Sequence, residues 1–153
     1  VFALWWFMWA QWLSFQVKLR WYPQGKKVLF VYSSSPNWKD YIETNILPRI
    51  TSQAVFVNWT ERSQWDWKRK PLELQVFRHW TGVHQYRFKG KVKWDGANFN
   101  PIAITFVPWW RVKVFRFWQP FKDFKHGKER PLKELEAKLF ETLRVEPANR
   151  QTG

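Results

Sequence analysis

The stretch Pro101–Trp118, PIAITFVPWWRVKVFRFW, decides the architecture of this chain. Pro101 to Val107 (PIAITFV) reads as one core strand and Val112 to Trp118 (VKVFRFW) as the next, with only Pro108-Trp109-Trp110-Arg111 between them. Parallel strands need a crossover of about a dozen residues or more, so a link this short predicts an antiparallel hairpin.

Upstream, Lys26 to Tyr32 (KKVLFVY) reads as a strand and Ser33 to Asn37 (SSSPN) breaks it. Trp38, Tyr41, Ile42, Ile46 and Leu47 then recur at helical spacing until Pro48. Ala54 to Asn58 (AVFVN) is a second buried strand, followed by the polar and aromatic stretch Thr60 to Lys70. Pro71 opens a helix with Leu72, Val76, Phe77 and Trp80 on one face, and Gly82 ends it. Tyr86 to Trp94 reads equally as an exposed ribbon or an ordered loop. Downstream of the hairpin, Pro131 stands near the start of the clearest helix, with Leu132, Leu135, Leu139, Phe140 and Leu143 spaced by threes and fours. Residues 147–153 read as a loose tail. The predicted order is β-α-β-α, an irregular insertion, then β-β-α: an α/β sandwich.

That order resembles the thioredoxin-like fold over about Lys26 to Val145, and the domain is assigned to residues 26–146. The Ser33–Asn37 loop stands at the start of the first helix, where the family carries its redox motif. Asn100-Pro101 precedes the third strand, where the family has a cis-proline, and Gly127 lies between the hairpin and the last helix. The stretch from Val83 to Phe99 departs from the compact family pattern. The resemblance implies a redox-inactive member, because the position of the C-x-x-C motif reads Ser33, Ser34, Ser35, Pro36 and serine hydroxyls titrate far too high to replace thiolates.

Residues 1–22 form a different kind of segment. Val1 to Val17 carry no side-chain charge and are almost continuously apolar, with Trp5, Trp6, Trp9 and Trp12 within eight positions. As a helix they reach about 25 Å, slightly short of a hydrocarbon core of roughly 30 Å. Gln11, Ser14 and Gln16 weaken the centre, and tryptophan suits the headgroup boundary. The segment therefore reads as an anchor that either spans a membrane or lies in its interface, against the alternative of a buried helix with partners on all sides. It has neither the basic start nor the small-residue cleavage site of a signal peptide. Lys18 and Arg20 flank it, and the tendency of basic flanks to stay inside places the body on the cytoplasmic side.

Twenty-six basic against twelve acidic side chains give a net charge of +14, and 21% of the residues are aromatic. With no cysteine, thiol nucleophiles, dithiol redox couples and cysteine-ligated metals are excluded. No glycine-rich phosphate loop occurs, and His79, His84 and His126 fall in no metal-ligand spacing. The three serines could form an anion site with Lys39 nearby, but capping and a turn explain them as well. His79 and Asp66 could make an acid–base pair, yet no spacing brings them together. No catalytic residue, cofactor or metal site is predicted.

The aromatics in loops are a separate signal. Trp59, Trp65, Trp67, Trp109 and Trp110, with Arg111, are expected to meet a partner, since loop tryptophans are difficult to bury internally. Together these features predict a membrane-anchored, non-catalytic accessory subunit that touches lipid and stabilises a larger membrane protein complex, a photosynthetic or respiratory assembly being the first candidate host. The alternative is a single-stranded nucleic-acid-binding domain. From Arg87 to Arg130 there are eleven Lys or Arg against three acids, interleaved with aromatics that could stack on bases.

Overall fold

The computed structural model describes residues 1–64, 71–95 and 100–145. Its centre is β1 (Val28–Tyr32), whose residues VLFV are all buried. A strand covered on both faces has no use for polar alternation, which is why this run is apolar throughout. On one side β1 pairs in parallel with β2 (Ala54–Asn58), Val28 opposite Ala54 and Tyr32 opposite Asn58. On the other it runs antiparallel to β5 (Ile102–Phe106), Val28 opposite Thr105. β5 continues into β6 (Val112–Arg116) through the expected hairpin, with Phe106 opposite Val112. The four-stranded mixed sheet has the order β2-β1-β5-β6.

Alternation along the strands sends side chains to two separate cores. Val28, Phe30 and Ala103 pack with Ile42, Ile46 and Ile50, with Phe117 and Phe121, and with Leu132, Leu139 and Phe140. Those residues belong to the helical stretch Lys39–Ile50, to α5 (Trp118–Lys125) with the residue before it, and to α6 (Arg130–Thr142). On the opposite face Leu29, Val31, Ile102, Ile104 and Phe106 pack with Leu13, Val17 and Trp21 and with Leu72, Val76 and Phe77. These come from α1 (Phe2–Arg20) with its flanking Trp21, and from α4 (Leu72–Thr81). The molecule is thus a helix–sheet–helix sandwich.

Three expected elements change and one left open between two readings is decided, each for a local reason. The first helix passes Pro48 instead of stopping before it. α2 (Lys39–Tyr41) runs into a π-helical turn, Ile42–Ile46, and then α3 (Leu47–Ile50). The Leu47 amide donates to the Ile42 carbonyl, five residues back. Pro48 falls directly after this change of register, in the first turn of α3, where its missing N–H does little harm. Second, the fourth strand ends at Arg116 and the chain turns at once into α5, because Phe117, Phe121 and Phe124 are spaced for a helix face. Third, the stretch around Tyr86 is a ribbon: β3 (His84–Phe88) pairs antiparallel with β4 (Lys91–Asp95), Phe88 opposite Lys91. Lys89 and Gly90, both at positive φ (49° and 74°), form the two-residue turn that such a hairpin favours.

The fourth concerns residues 1–22. Among the described residues no helix is long and apolar enough to cross a membrane. The packing supplies a further reason: Leu13 and Val17 are 0% exposed and Trp21 is 6% exposed, all fixed in the core against β1 and β5. A spanning anchor is thereby corrected to a helix whose C-terminal half is built into the body. The Asn100–Pro101 and Val107–Pro108 peptide bonds are cis.

Candidate functional site

Helix α1 is apolar from Phe2 to Ala10, where residues 2–9 are exposed, and from Ala10 onward it buries one side in the body. Ala10, Leu13, Ser14, Val17 and, just past the helix, Trp21 recur at spacings of three and four and face the sheet. At about 100° per residue, the opposite face is Leu4, Trp5, Met8, Trp12, Phe15 and Leu19. All six are exposed, from 39% at Phe15 to 68% at Trp5. A helix packed on a globular body normally turns charge outward; here the outward stripe is hydrocarbon and indole over some 22 Å. Lys18 and Arg20 are exposed at its C-terminal end, a hundred degrees or so to either side of the stripe.

Aromatic contacts fix the two borders of this surface. Toward the N-terminus, Trp6 stacks on His79 of α4, centroids 4.6 Å apart and planes inclined 25°. Trp80 meets the same imidazole edge-on at 4.6 Å. Phe2, Ala3, Trp5, Trp6, Trp9 and His79 line an open, almost wholly apolar groove there. Burial holds His79 below its ordinary pKa of 6.5, and its buried Nε2 has no hydrogen-bond partner. The imidazole acts here as a neutral aromatic plate. Toward the C-terminus, Phe15 packs against Trp109 of the β5–β6 turn at 6.1 Å, and Lys18 Nζ lies 4.9 Å from the centroid of the Trp109 ring. Trp110 stands edge-on to Trp109 at 5.6 Å and is 58% exposed, and Arg111 beside it is exposed. The hairpin tip therefore extends the apolar stripe of α1 sideways.

Of the tryptophans singled out in the sequence, Trp5, Trp9 and Trp12 lie on or beside the stripe, Trp109 and Trp110 adjoin it, and Trp6, one turn before Ala10, turns to the body and His79. Trp59 stands apart. It is half-buried and packs on Phe77 at 5.4 Å, at the edge of the core. Trp65, Trp67, Asp66 and the tail 147–153 lie outside the described residues, so the pairing of His79 with Asp66 has no geometry to report. Leu4, Met8 and Phe15 count in the sequence toward the apolar run Val1–Val17 and Leu19 lies beyond it; a helical wheel of residues 2–20 gathers all four on one stripe.

The serine loop is occupied with its own structure. Thr60 Oγ1 accepts from the Ser34 amide at 2.9 Å and Ser34 Oγ accepts from Asn58 Nδ2 at 3.2 Å, which ties the loop to the end of β2. No side chain caps α2. Elsewhere, Glu136 of α6 is 9% exposed and accepts a hydrogen bond from the Tyr41 hydroxyl, which in turn accepts from Lys133 Nζ at 3.0 Å. Burial and the neighbouring Glu136 carboxylate hold the Tyr41 phenol far above its ordinary value, so it stays protonated and serves as a donor. Among the described residues no group of three or more His, Asp or Glu could hold a metal ion. Comparison with family models, with curated proteins and with solved structures finds no match.

Proposed function

We propose that this chain is a non-catalytic accessory subunit that lies on a membrane surface, the outer face of α1 in the headgroup boundary, and docks there on a larger membrane protein complex. The observation that carries the reading is the apolar stripe Leu4–Trp5–Met8–Trp12–Phe15–Leu19, exposed along a helix whose other side is core from Ala10 onward and exposed before it. In water such a stripe is costly. Sinking six half-exposed large side chains into an interface returns on the order of 5–9 kcal/mol before the cost of immobilisation. Indole rings prefer that depth, and the Lys18 and Arg20 side chains at the end of the stripe reach headgroup phosphates. A chain of net charge +14 favours the anionic leaflet, which is the cytoplasmic one.

The thioredoxin-like reading of the body belongs to the same proposal. It is supported by the strand order β2-β1-β5-β6, with β1 parallel to β2 and antiparallel to β5, and by helices on both faces. With Ser33, Ser34 and Ser35 in the redox position, the fold serves as a scaffold. Trp110 and Arg111 at the hairpin tip are the residues offered to the host complex, for which a photosynthetic or respiratory assembly is the first candidate. The nucleic-acid reading has less support, because three of its candidate stacking platforms, Phe115, Phe117 and Phe121, are at most 7% exposed, although Trp110 is open.

The test is flotation of the full chain with phosphatidylcholine vesicles. Deleting residues 1–17 would remove Leu13 and Val17 from the core, so the informative variant is Leu4→Ser/Met8→Ser/Trp12→Ser, which leaves the buried face intact. The intact chain should float with vesicles at high salt and the variant should stay at the bottom. A native gel of solubilised membranes should then show the chain migrating with one large complex; a freely migrating monomer sinks the accessory-subunit part.

A further inference from the structure

The β3–β4 ribbon stands apart from the four-stranded sheet. It forms a two-stranded sheet of its own, hydrogen-bonded to none of the four central strands. An isolated hairpin of that size is marginal in water and needs something to lie against. From His84 to Asp95 it carries Arg87, Lys89, Lys91 and Lys93 against one acid, Asp95, which the register sets opposite His84 at the far end of the ribbon from the turn. All four cations are exposed, as are Tyr86 (42%) and Phe88 (50%).

The register sorts these side chains. Tyr86 stands opposite Lys93 and Phe88 opposite Lys91, so two aromatics and two lysines share one face. Lys93 Nζ lies 4.9 Å from the centroid of the Phe88 ring, and Lys89 Nζ, from the turn, lies 5.4 Å from it. Two like charges gathered on one exposed ring repel each other, and an anion beside them relieves that repulsion. The ribbon also starts close to the surface described above: β3 begins five residues after His79, the residue on which Trp6 stacks, and the link passes through Val83, 1% exposed in the α1–α4 core.

We infer that the ribbon is a second membrane contact, the Tyr86–Phe88–Lys91–Lys93 face and the Lys89 turn binding the phosphates of anionic lipid headgroups while Phe88 enters the boundary. The inference rests on the attachment reading of α1 and adds lipid selectivity to it. α1 supplies a hydrophobic term indifferent to headgroup charge; the ribbon supplies a coulombic term that demands anionic lipid and fades with salt.

The experiment measures binding of the full chain to vesicles of phosphatidylcholine alone and of phosphatidylcholine with about one-third phosphatidylglycerol at low salt. The ribbon variant is Lys89→Asn/Lys91→Gln/Lys93→Gln, asparagine being chosen because Lys89 has φ 49°. Its control is Lys122→Gln/Lys128→Gln/Lys138→Gln, which removes equal charge from the face across the sheet from α1. A thermal melt of each confirms an unchanged fold.

At about fivefold per cation at the surface, the ribbon variant should lose roughly a hundredfold in affinity for the anionic vesicles and keep its affinity for phosphatidylcholine. The control should lose less than tenfold. Equal losses in the two variants overturn the inference while leaving α1 attachment standing. Unchanged vesicle binding, with a loss of single-stranded oligonucleotide binding in the ribbon variant, also overturns it and assigns the ribbon to nucleic acid. Failure of the intact chain to bind phosphatidylcholine, with no effect of the α1 outer-face substitutions, is the separate result that removes the reading beneath it.

Discussion

Trp6 and His79 lie ring on ring, 4.6 Å between centroids, and this stack fastens the exposed half of α1 to the C-terminal turn of α4. It depends on an imidazole that burial keeps neutral and whose Nε2 has no partner to receive a charge. Because the folded-state pKa lies below the ordinary 6.5, the unfolded chain binds more protons at acidic pH. The contribution of His79 to stability is complete above pH 6.5 and is lost as pH falls from there through the depressed folded value. Melting temperature should accordingly drop on acidification through that window, and His79→Phe should flatten the drop. An equally steep fall in His79→Phe would assign the acid sensitivity to other groups.

Leu13 tests whether α1 belongs to the body. It is 0% exposed, packed with Val17, Leu29 and Val31 among others. Leu13→Ala should cost about 2–5 kcal/mol in urea unfolding, as cavity-forming substitutions in a core do. A detachable anchor would leave the midpoint unchanged.

The two tryptophans at the β5–β6 turn should separate by assay. Trp109 is half-buried between Phe15 and Lys18, and Trp109→Ser should lower stability by about 1–3 kcal/mol. Trp110 is 58% exposed, so Trp110→Ser should change stability by no more than about 0.5 kcal/mol while weakening vesicle or complex association. Thermal melts paired with flotation and native gels check both. Equal thermal losses would place Trp110 in the core.

Tyr41 and Glu136 join the helical stretch after the serine loop to α6. Tyr41→Phe removes the hydroxyl that donates to the nearly buried Glu136 carboxylate and should cost about 1–3 kcal/mol. If Tyr41→Phe/Glu136→Gln is more stable than Tyr41→Phe alone, the loss is the unpaired carboxylate; if it is not, the loss is one of packing.

The sequence carried the sheet well and the surface poorly, for one physical reason. KKVLFVY and PIAITFV are runs whose apolarity reflects burial on both faces, AVFVN is the half-buried edge strand beside them, and each became a strand of the sheet. The Pro108–Arg111 link could only be a hairpin turn. Composition alone left the first segment open between spanning, lying flat and burial, because a helix that is apolar all round does not say which side meets protein. The answer depends on Leu29, Val31 and Ile104, residues distant in sequence that cover Leu13 and Val17. α5 was missed because Phe117, Phe121 and Phe124 follow a strand without a break and share its aromatic composition. Pro48 was read as a stop because the π-turn that accommodates it has no signature in residue type.

The central claim is that α1 lies flat, its Leu4-to-Leu19 stripe in lipid and its Leu13–Val17 side on the protein. The chain contains no cysteine, so a single one introduced on an exposed position carries a nitroxide without competition. Leu4→Cys, Met8→Cys, Phe15→Cys and Leu19→Cys labels on vesicle-bound protein should all collide with dissolved oxygen in preference to a water-soluble nickel chelate, and all at one similar depth. A Glu134→Cys label on α6 should prefer the chelate. Labels at residues 4 to 19 that remain as open to the chelate with vesicles as without them, or whose depth rises steadily toward residue 4, would contradict a helix lying in the membrane plane.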